Sequence, residues 1–169
     1  MQTLELIRSS VTSVNEMVGI AMEDLDDDLI NWQPGGTTNT IAQLLAHMLS
    51  GQDLLINDKL VAGGGKTLHE SGWSDRTGIP LERPQIWQRD SWRLNLPAFN
   101  GYRLAVHASA TSLVDSLAEA DLDRPASWIR GPERPLAMLL QVIYINHALG
   151  HCGEVSAIKG MRGLKGLPF

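Results

Sequence analysis

Residues 136–159 read LAMLLQVIYINHALGHCGEVSAIK, and their apolar side chains recur at the spacings of three and four that are typical of an amphipathic helix. On this predicted helix, His147 and His151 are four residues apart, and Glu154 follows three residues later. Residues at these spacings share one helix face, so both imidazoles can reach the same metal ion. The pattern places them in the apolar stripe, where polar side chains are costly unless they are paired or coordinated.

The same segment excludes one class of metalloprotein. In zincin proteases a general-base glutamate directly follows the first of the two histidines. Ala148 occupies that position here, so we do not expect a thermolysin-like protease. Two histidines can also be core imidazoles that are hydrogen-bonded to the backbone, so a metal site needs a third histidine in a similar setting.

His47 supplies that third histidine. It lies in an apolar segment between Leu44 and Met48, for which Thr37, Thr38 and Asn39 are candidate N-caps. One bound ion explains His47, His147 and His151 together, whereas the alternative requires three separately satisfied core imidazoles.

Two further helices complete the predicted all-α fold. The first carries the apolar stripe Leu4, Ile7, Val11, Val14, Val18, Ala21 and Leu25, and the third begins near Pro97 and carries Phe99, Tyr102, Val106, Ala110, Leu113 and Leu117. The acidic residues Asp26 to Asp28 are expected to be solvated beyond the end of the first helix. We therefore predict one four-helix bundle domain over residues 1–169, with a long loop between helices 2 and 3.

The loop at residues 62–97 is too long to be a simple connection inside a compact domain. It contains three of the five tryptophans, Trp73, Trp87 and Trp92. Either it covers a site or a partner surface, or it packs over the end of the bundle. His69 in this loop and His107 beside the stripe of the third helix are both expected at the surface.

Composition narrows the classes of function. A formal charge of -5 and a pI near 5.4 argue against nucleic-acid binding, which usually needs a basic surface. No apolar run is long enough to span a membrane, and residues 1–10 do not resemble a secretory signal, so we expect a cytoplasmic protein. The single cysteine, Cys152, excludes an intrachain disulfide. We interpret it as a buried inert thiol rather than a ligand or nucleophile.

Three segments together resemble the DinB-like superfamily of metal-binding four-helix bundles, which includes thiol-dependent S-transferases and mycothiol-dependent maleylpyruvate isomerases. They are TIAQLLAH at residues 40–47, EADL at 119–122 and NHALGHCGE at 146–154. The resemblance covers nearly the whole chain. It implies a three-histidine metal site at His47, His147 and His151. It also implies a homodimer, for which the loop tryptophans or the LKGLPF tail could supply the contact.

Three neutral imidazoles leave a divalent ion with an open coordination position, which is typical of catalytic sites. Zinc is the first expectation, with nickel or iron as alternatives. Glu154 is the predicted catalytic residue. In order of preference, it would fix an imidazole tautomer, accept a proton or act as a fourth ligand, and the alternative is a solvated helix carboxylate.

Two classes of function follow. The first is a metal-dependent thiol S-transferase or hydrolase, which would use a low-molecular-weight thiol or water and a small-molecule electrophile. The second is a non-catalytic, stress-related metal-binding protein that acts as a homodimer or through a partner. A cavity beside an open metal position would favour the enzyme.

Overall fold

Four long helices form the bundle in a computed structural model, which describes residues 2–129 and 131–167 and confirms the all-α fold. Helix α1 spans Thr3–Ala21, and α2 spans Ile41–Leu54 with a π-helical continuation at Leu55–Lys59. Helix α3 spans Leu96–Ser116. Helix α4 consists of Leu136–Leu139, a π-helical stretch at Leu140–Asn146, and His147–Met161.

The connections contain only short elements. They are the one-turn helices Asp27–Ile30, Ser74–Thr77 and Arg83–Ile86, a π-helical turn at His69–Trp73, a 3-10 helix at Glu119–Asp123, and the antiparallel two-residue strands β1 (Pro125–Ala126) and β2 (Arg134–Pro135). Within the described ranges, no helix is both long and apolar enough to cross a bilayer. Of the LKGLPF tail, Pro168 and Phe169 lie outside the described residues.

Helix α1 buries the predicted stripe from Leu4 to Ala21 but ends before Leu25. The backbone leaves helical geometry at Asp24, whose φ is 61°. Asp26, Asp27 and Asp28 are exposed and lie beyond the end of α1, as expected. The Asp26 carboxylate also accepts a hydrogen bond from the Leu29 amide at 2.7 Å and thereby caps the short helix Asp27–Ile30.

Helix α2 begins one residue later than its candidate caps suggested. The N-cap is Thr40, whose hydroxyl accepts from the Gln43 amide at 3.0 Å while the Gln43 side chain accepts from the Thr40 amide at 2.9 Å. This reciprocal capping box satisfies two backbone N–H donors. Thr40 therefore caps the helix, and the predicted candidates Thr37, Thr38 and Asn39 do not. From Ile41 to Asp53 every residue except His47 is buried, so α2 is the central helix of the bundle.

A buried carboxylate fastens the long crossover to this central helix. Asp53 accepts hydrogen bonds from the backbone amides of Leu68 at 3.0 Å and His69 at 2.8 Å. It also accepts from the Asn57 side chain at 2.8 Å and from the Tyr102 hydroxyl at 2.6 Å. One side chain therefore holds the crossover, α2 and α3 together.

The π-helical stretch of α4 changes which side chains face the core. The sequence pattern predicts a buried stripe through Leu136, Leu139, Leu140, Ile143, His147, Gly150, His151, Glu154 and Ile158. Leu136, Leu139, Leu140 and Ile158 are buried as predicted, but between them the buried residues are Tyr144, Ile145, Ala148, Cys152 and Val155. A π-helical turn accommodates one extra residue, so the core register moves by one position, or about 100° of rotation. His147 and His151 consequently lie half-buried at the margin of the core.

Both histidines that were expected at the surface are buried, so those two predictions are wrong. His69 is 6% exposed, and its ring nitrogen Nε2 donates to the Pro80 carbonyl at 3.1 Å. His107 is also 6% exposed, and its Nε2 has no hydrogen-bond partner among the described residues. Burial, with a smaller contribution from Arg103, lowers the pKa of His107 to about 3.

We expect His107 to make the stability of the protein depend on pH. Between pH 6.5 and about 3 the unfolded chain binds a proton at this imidazole and the folded protein does not, so the free energy of unfolding falls as the pH is lowered. The expected loss is about 2 kcal/mol by pH 5, and none arises above pH 6.5. Urea unfolding of the wild type and His107→Leu at pH 7 and pH 5 measures it.

The leucine variant lacks the titrating group. Lowering the pH from 7 to 5 should therefore destabilise the wild type more than the variant. Protonation of His47 and His147 affects both proteins equally and cancels in this comparison. Parallel pH profiles would mean that the folded protein protonates His107 as readily as the unfolded chain.

Candidate metal centre

Three imidazoles from two helices converge at one point. The Nε2 atom of His147 on α4 lies 3.1 Å from Nε2 of His47 on α2 and 3.0 Å from Nε2 of His151, one turn further along α4. All three potential ligand atoms lie within 4.8 Å of one another. The structure thus brings together the three histidines that the sequence singled out.

The environment keeps two of these imidazoles neutral. Burial lowers the pKa of His47 to about 4, with further contributions from His147, Arg83 and His151. Burial likewise lowers the pKa of His147 to about 4, aided by His151 and Arg83 and opposed by Glu154. The neutral imidazole is the form that binds a metal ion.

Glu154 holds the third imidazole in one orientation. Its Oε2 accepts a hydrogen bond from Nδ1 of His151 at 2.5 Å. Since Nδ1 carries the proton, the neutral ring has its lone pair on Nε2, which faces the other two histidines. The Glu154 side chain is 55% exposed, and it does not belong to the group of converging ligand atoms. This hydrogen bond is the contact that fixing an imidazole tautomer would require, and the catalytic role of Glu154 stays a prediction.

Hydrogen bonding alone cannot satisfy the three converging nitrogens. His151 presents a lone pair at Nε2, and the single Nε2 position of His147 can carry only one proton. If that proton is donated to His151, Nε2 of His147 has neither a second proton nor a lone pair for the contact with His47. One cation shared by three lone pairs removes the conflict, so these residues fit a divalent metal ion with imidazole ligands.

An apolar cavity of about 530 Å³ adjoins the histidines. Its lining consists of His47, Gly51, Arg83, Pro84, Trp87, Trp128, Ile129, Ile143 and His147. The Trp87 ring packs against the His47 imidazole at a centroid distance of 4.8 Å. The cavity therefore gives a small molecule access to the side of the cluster that His47 and His147 border.

The crossover contributes to this cavity as well as to packing over the bundle. Arg83, Pro84 and Trp87 line the cavity, whereas Trp73 stacks on Tyr102 at 5.8 Å between ring centroids. One part of the crossover therefore lies beside the candidate site and another packs on the bundle, so each of the two interpretations describes one part of it. No sequence motif marked Arg83, and the only signal for this region was its concentration of tryptophans.

Cys152 lies on the buried side of α4, away from the cavity lining. Burial raises the pKa of its thiol to about 11, so the thiol stays protonated at neutral pH. Gln52, which the sequence did not single out, donates from its side chain to the Tyr144 carbonyl at 3.1 Å. This bond lets α2 hold the π-helical backbone immediately before His147.

Three bacterial crystal structures share the fold. A conserved protein from Enterococcus faecalis is 16% identical, with a TM-score of 0.73, and the match covers 94% of this chain and 96% of that chain. A protein from Streptococcus pneumoniae is 14% identical, with a TM-score of 0.63 and coverages of 97% and 92%. An uncharacterized protein from Clostridium difficile 630 is 15% identical, with a TM-score of 0.63 and coverages of 94% and 96%. At these identities the likeness concerns the fold alone.

No curated protein matches the sequence. The family model described as the DinB superfamily matches residues 14–155, which include His47, His147, His151 and Glu154. This match spans most of the chain and agrees with both the bundle architecture and the sequence resemblance. The chain therefore belongs to the DinB superfamily.

Proposed function

We propose that the protein binds one divalent transition-metal ion through His47, His147 and His151 and acts as a metal-dependent thiol S-transferase or hydrolase. The observation that carries this proposal is the position of the three converging nitrogens at the edge of an apolar cavity of about 530 Å³. Zinc is the preferred ion, with nickel or iron as alternatives, because imidazole suits all three. The expected reactants are a low-molecular-weight thiol or water and a small electrophile.

When bound, a divalent ion with an open coordination position lowers the pKa of water or of a thiol, which makes either one a nucleophile at neutral pH. The protein's own residues prepare the site. The lowered pKa values of His47 and His147 keep these ligands neutral. Glu154 fixes the tautomer of His151 and directs its Nε2 lone pair inward.

The cavity also provides an apolar wall beside the histidines. Trp87 packs against His47 in a tilted arrangement, and Trp128 and Ile143 add apolar surface to the lining. A purely structural metal site needs no such space, so the cavity supports the enzyme over the non-catalytic, stress-related metal-binding protein. The homodimer that the resemblance implies stays a prediction.

Glu154→Gln provides a test that separates ligands from supporting residues. The amide keeps the side-chain shape but weakens the hydrogen bond to His151, so we expect the ion to be retained and turnover to fall by about 10- to 100-fold. Metal content is measured on protein that was purified without chelator or metal-affinity resin. Turnover is measured with small thiols and electrophiles, and with hydrolysable esters.

Two further variants are the controls for this experiment. His47→Ala should lose both the ion and the turnover, whereas Glu16→Gln, a change at an exposed carboxylate on α1, should affect neither. Unchanged turnover in Glu154→Gln would return Glu154 to a structural role. Metal-loaded wild-type protein with no activity above that of the free ion would favour the non-catalytic alternative.

A further inference from the structure

One cation on the cavity lining has no counter-charge. Arg83 is half-buried, and among the described residues its guanidinium forms no ion pair and donates no side-chain hydrogen bond. None of the other lining residues that the structure describes is an aspartate or a glutamate. A guanidinium withdrawn from water without an anion is costly, so its position is best explained by an anionic ligand.

Gly51 leaves room for that ligand beside the histidines. A Cβ atom added at Gly51 would lie 3.5 Å from Nη2 of Arg83 and 3.9 Å from Cε1 of His147. The space above Gly51 is therefore bounded on one side by the guanidinium and on the other by an imidazole of the metal centre. An anion paired with Arg83 in this space would lie beside the His147 imidazole.

The rest of the lining that the structure describes is apolar. Pro84, Trp87, Trp128, Ile129 and Ile143 provide it. Trp87 is 39% exposed and Ile129 is 47% exposed, which leaves large apolar surfaces open at the mouth of the cavity. A volume of about 530 Å³ accommodates a small organic molecule rather than a lone inorganic ion.

We propose that this cavity binds a small monocarboxylate with an apolar or aromatic body, whose carboxylate pairs with Arg83 and whose body packs against Trp87 and Trp128. Arg83 is the single cation among the lining residues that the structure describes, which matches a single negative charge, and the planar guanidinium favours a carboxylate through paired hydrogen bonds. The assignment of this molecule as the electrophilic substrate rests on the proposed function. Its binding through Arg83 does not require the metal ion.

Calorimetric titration tests the proposal with phenylacetate, phenylpropionate and phenylbutyrate, each compared with its primary amide. In chelator-treated wild-type protein, we expect at least one acid to bind about tenfold or more tightly than its amide, because only the acid forms charge-assisted bonds. Arg83→Gln should remove this preference, and Arg83→Lys should keep part of it. Trp128→Ala should weaken acid and amide alike.

Arg76→Gln is the matched control, because Arg76 stacks on Trp73 at 4.7 Å and does not line the cavity. Binding of the acids should be unchanged in this variant. Thermal unfolding of each variant checks that the bundle is intact. The proposal is overturned if no acid binds up to millimolar concentration, if acids and amides bind equally, or if Arg83→Gln binds as the wild type does.

The same titrations with metal-loaded protein distinguish this proposal from the proposed function. Acid binding that disappears on chelation and survives Arg83→Gln would make the carboxylate a metal ligand, which overturns the role of Arg83 and leaves the metal centre in place. Arg83-dependent binding in a protein that takes up no metal would overturn the proposed function and leave the carboxylate site standing.

Discussion

Replacing His147 with alanine is expected to abolish stoichiometric metal binding. Its Nε2 is the only one of the three that contacts both others, at 3.1 Å from His47 and 3.0 Å from His151, so its loss leaves two ligands without their common neighbour. Loss of a supporting residue around a metal already costs about 10- to 100-fold in affinity, and loss of a direct ligand should cost more. Elemental analysis and competition titration with a chromogenic chelator measure the change.

The thermal stability of His147→Ala should change only when metal is present. An ion that binds the folded state alone stabilises it by about 2.7 kcal/mol at a free concentration 100 times its Kd, and the variant should lose this increment. His107→Ala is the matched control, since it removes a buried histidine outside the cluster. Equal metal content in His147→Ala and the wild type would remove His147 from the site.

Replacing Asp53 with alanine is expected to cause the largest loss of stability of any single substitution considered. Its carboxylate accepts four hydrogen bonds, from Leu68, His69, Asn57 and Tyr102, and the residue is fully buried. An unsatisfied buried donor costs about 1–3 kcal/mol, and the variant leaves several. We expect the free energy of unfolding to fall by about 3–5 kcal/mol, as measured by urea denaturation.

The loss should be accompanied by loosening of the crossover, because two of the four donors are its backbone amides. Limited proteolysis should therefore cut Asp53→Ala between residues 61 and 68 faster than the wild type. Asp58→Ala is the control, since this residue also reaches the crossover, through the Gly65 amide at 3.2 Å, but with a partly exposed side chain and a solvent-exposed hydrogen bond. Its expected cost is below about 1 kcal/mol, and equal losses in both variants would refute the special role of Asp53.

The sequence was enough to predict the four-helix bundle and the grouping of the three histidines, because both predictions depend on local periodicity. The stripe of α1 is regular, and an H-x3-H pair stays on one helix face whatever the helix packs against. His47 could be paired with them because a central helix rarely carries a histidine among apolar residues. Contacts between residues that lie far apart along the chain could not be predicted in this way.

Arg83 and Asp53 illustrate this limit. Arg83 is one of many charged residues in an irregular crossover, and only the folded structure places it opposite Gly51. Asp53 looks like an ordinary polar residue of a helix, because the amides that it binds are 15 and 16 residues further along the chain. His69 and His107 were misplaced for the same reason, since their burial comes from tertiary neighbours rather than from their own helical pattern.

The π-helical stretch Leu140–Asn146 couples the metal centre to the winding of α4. A relaxation of this stretch to a regular α-helix would turn His147 and His151 by about 100° toward the positions that Ala148 and Cys152 now fill. An ion held by all three histidines would oppose that turn, because it ties α4 to His47 on a neighbouring helix. With such an ion bound, metal affinity and helix register would be thermodynamically linked, and the ion's binding free energy would favour the wider winding over the regular one.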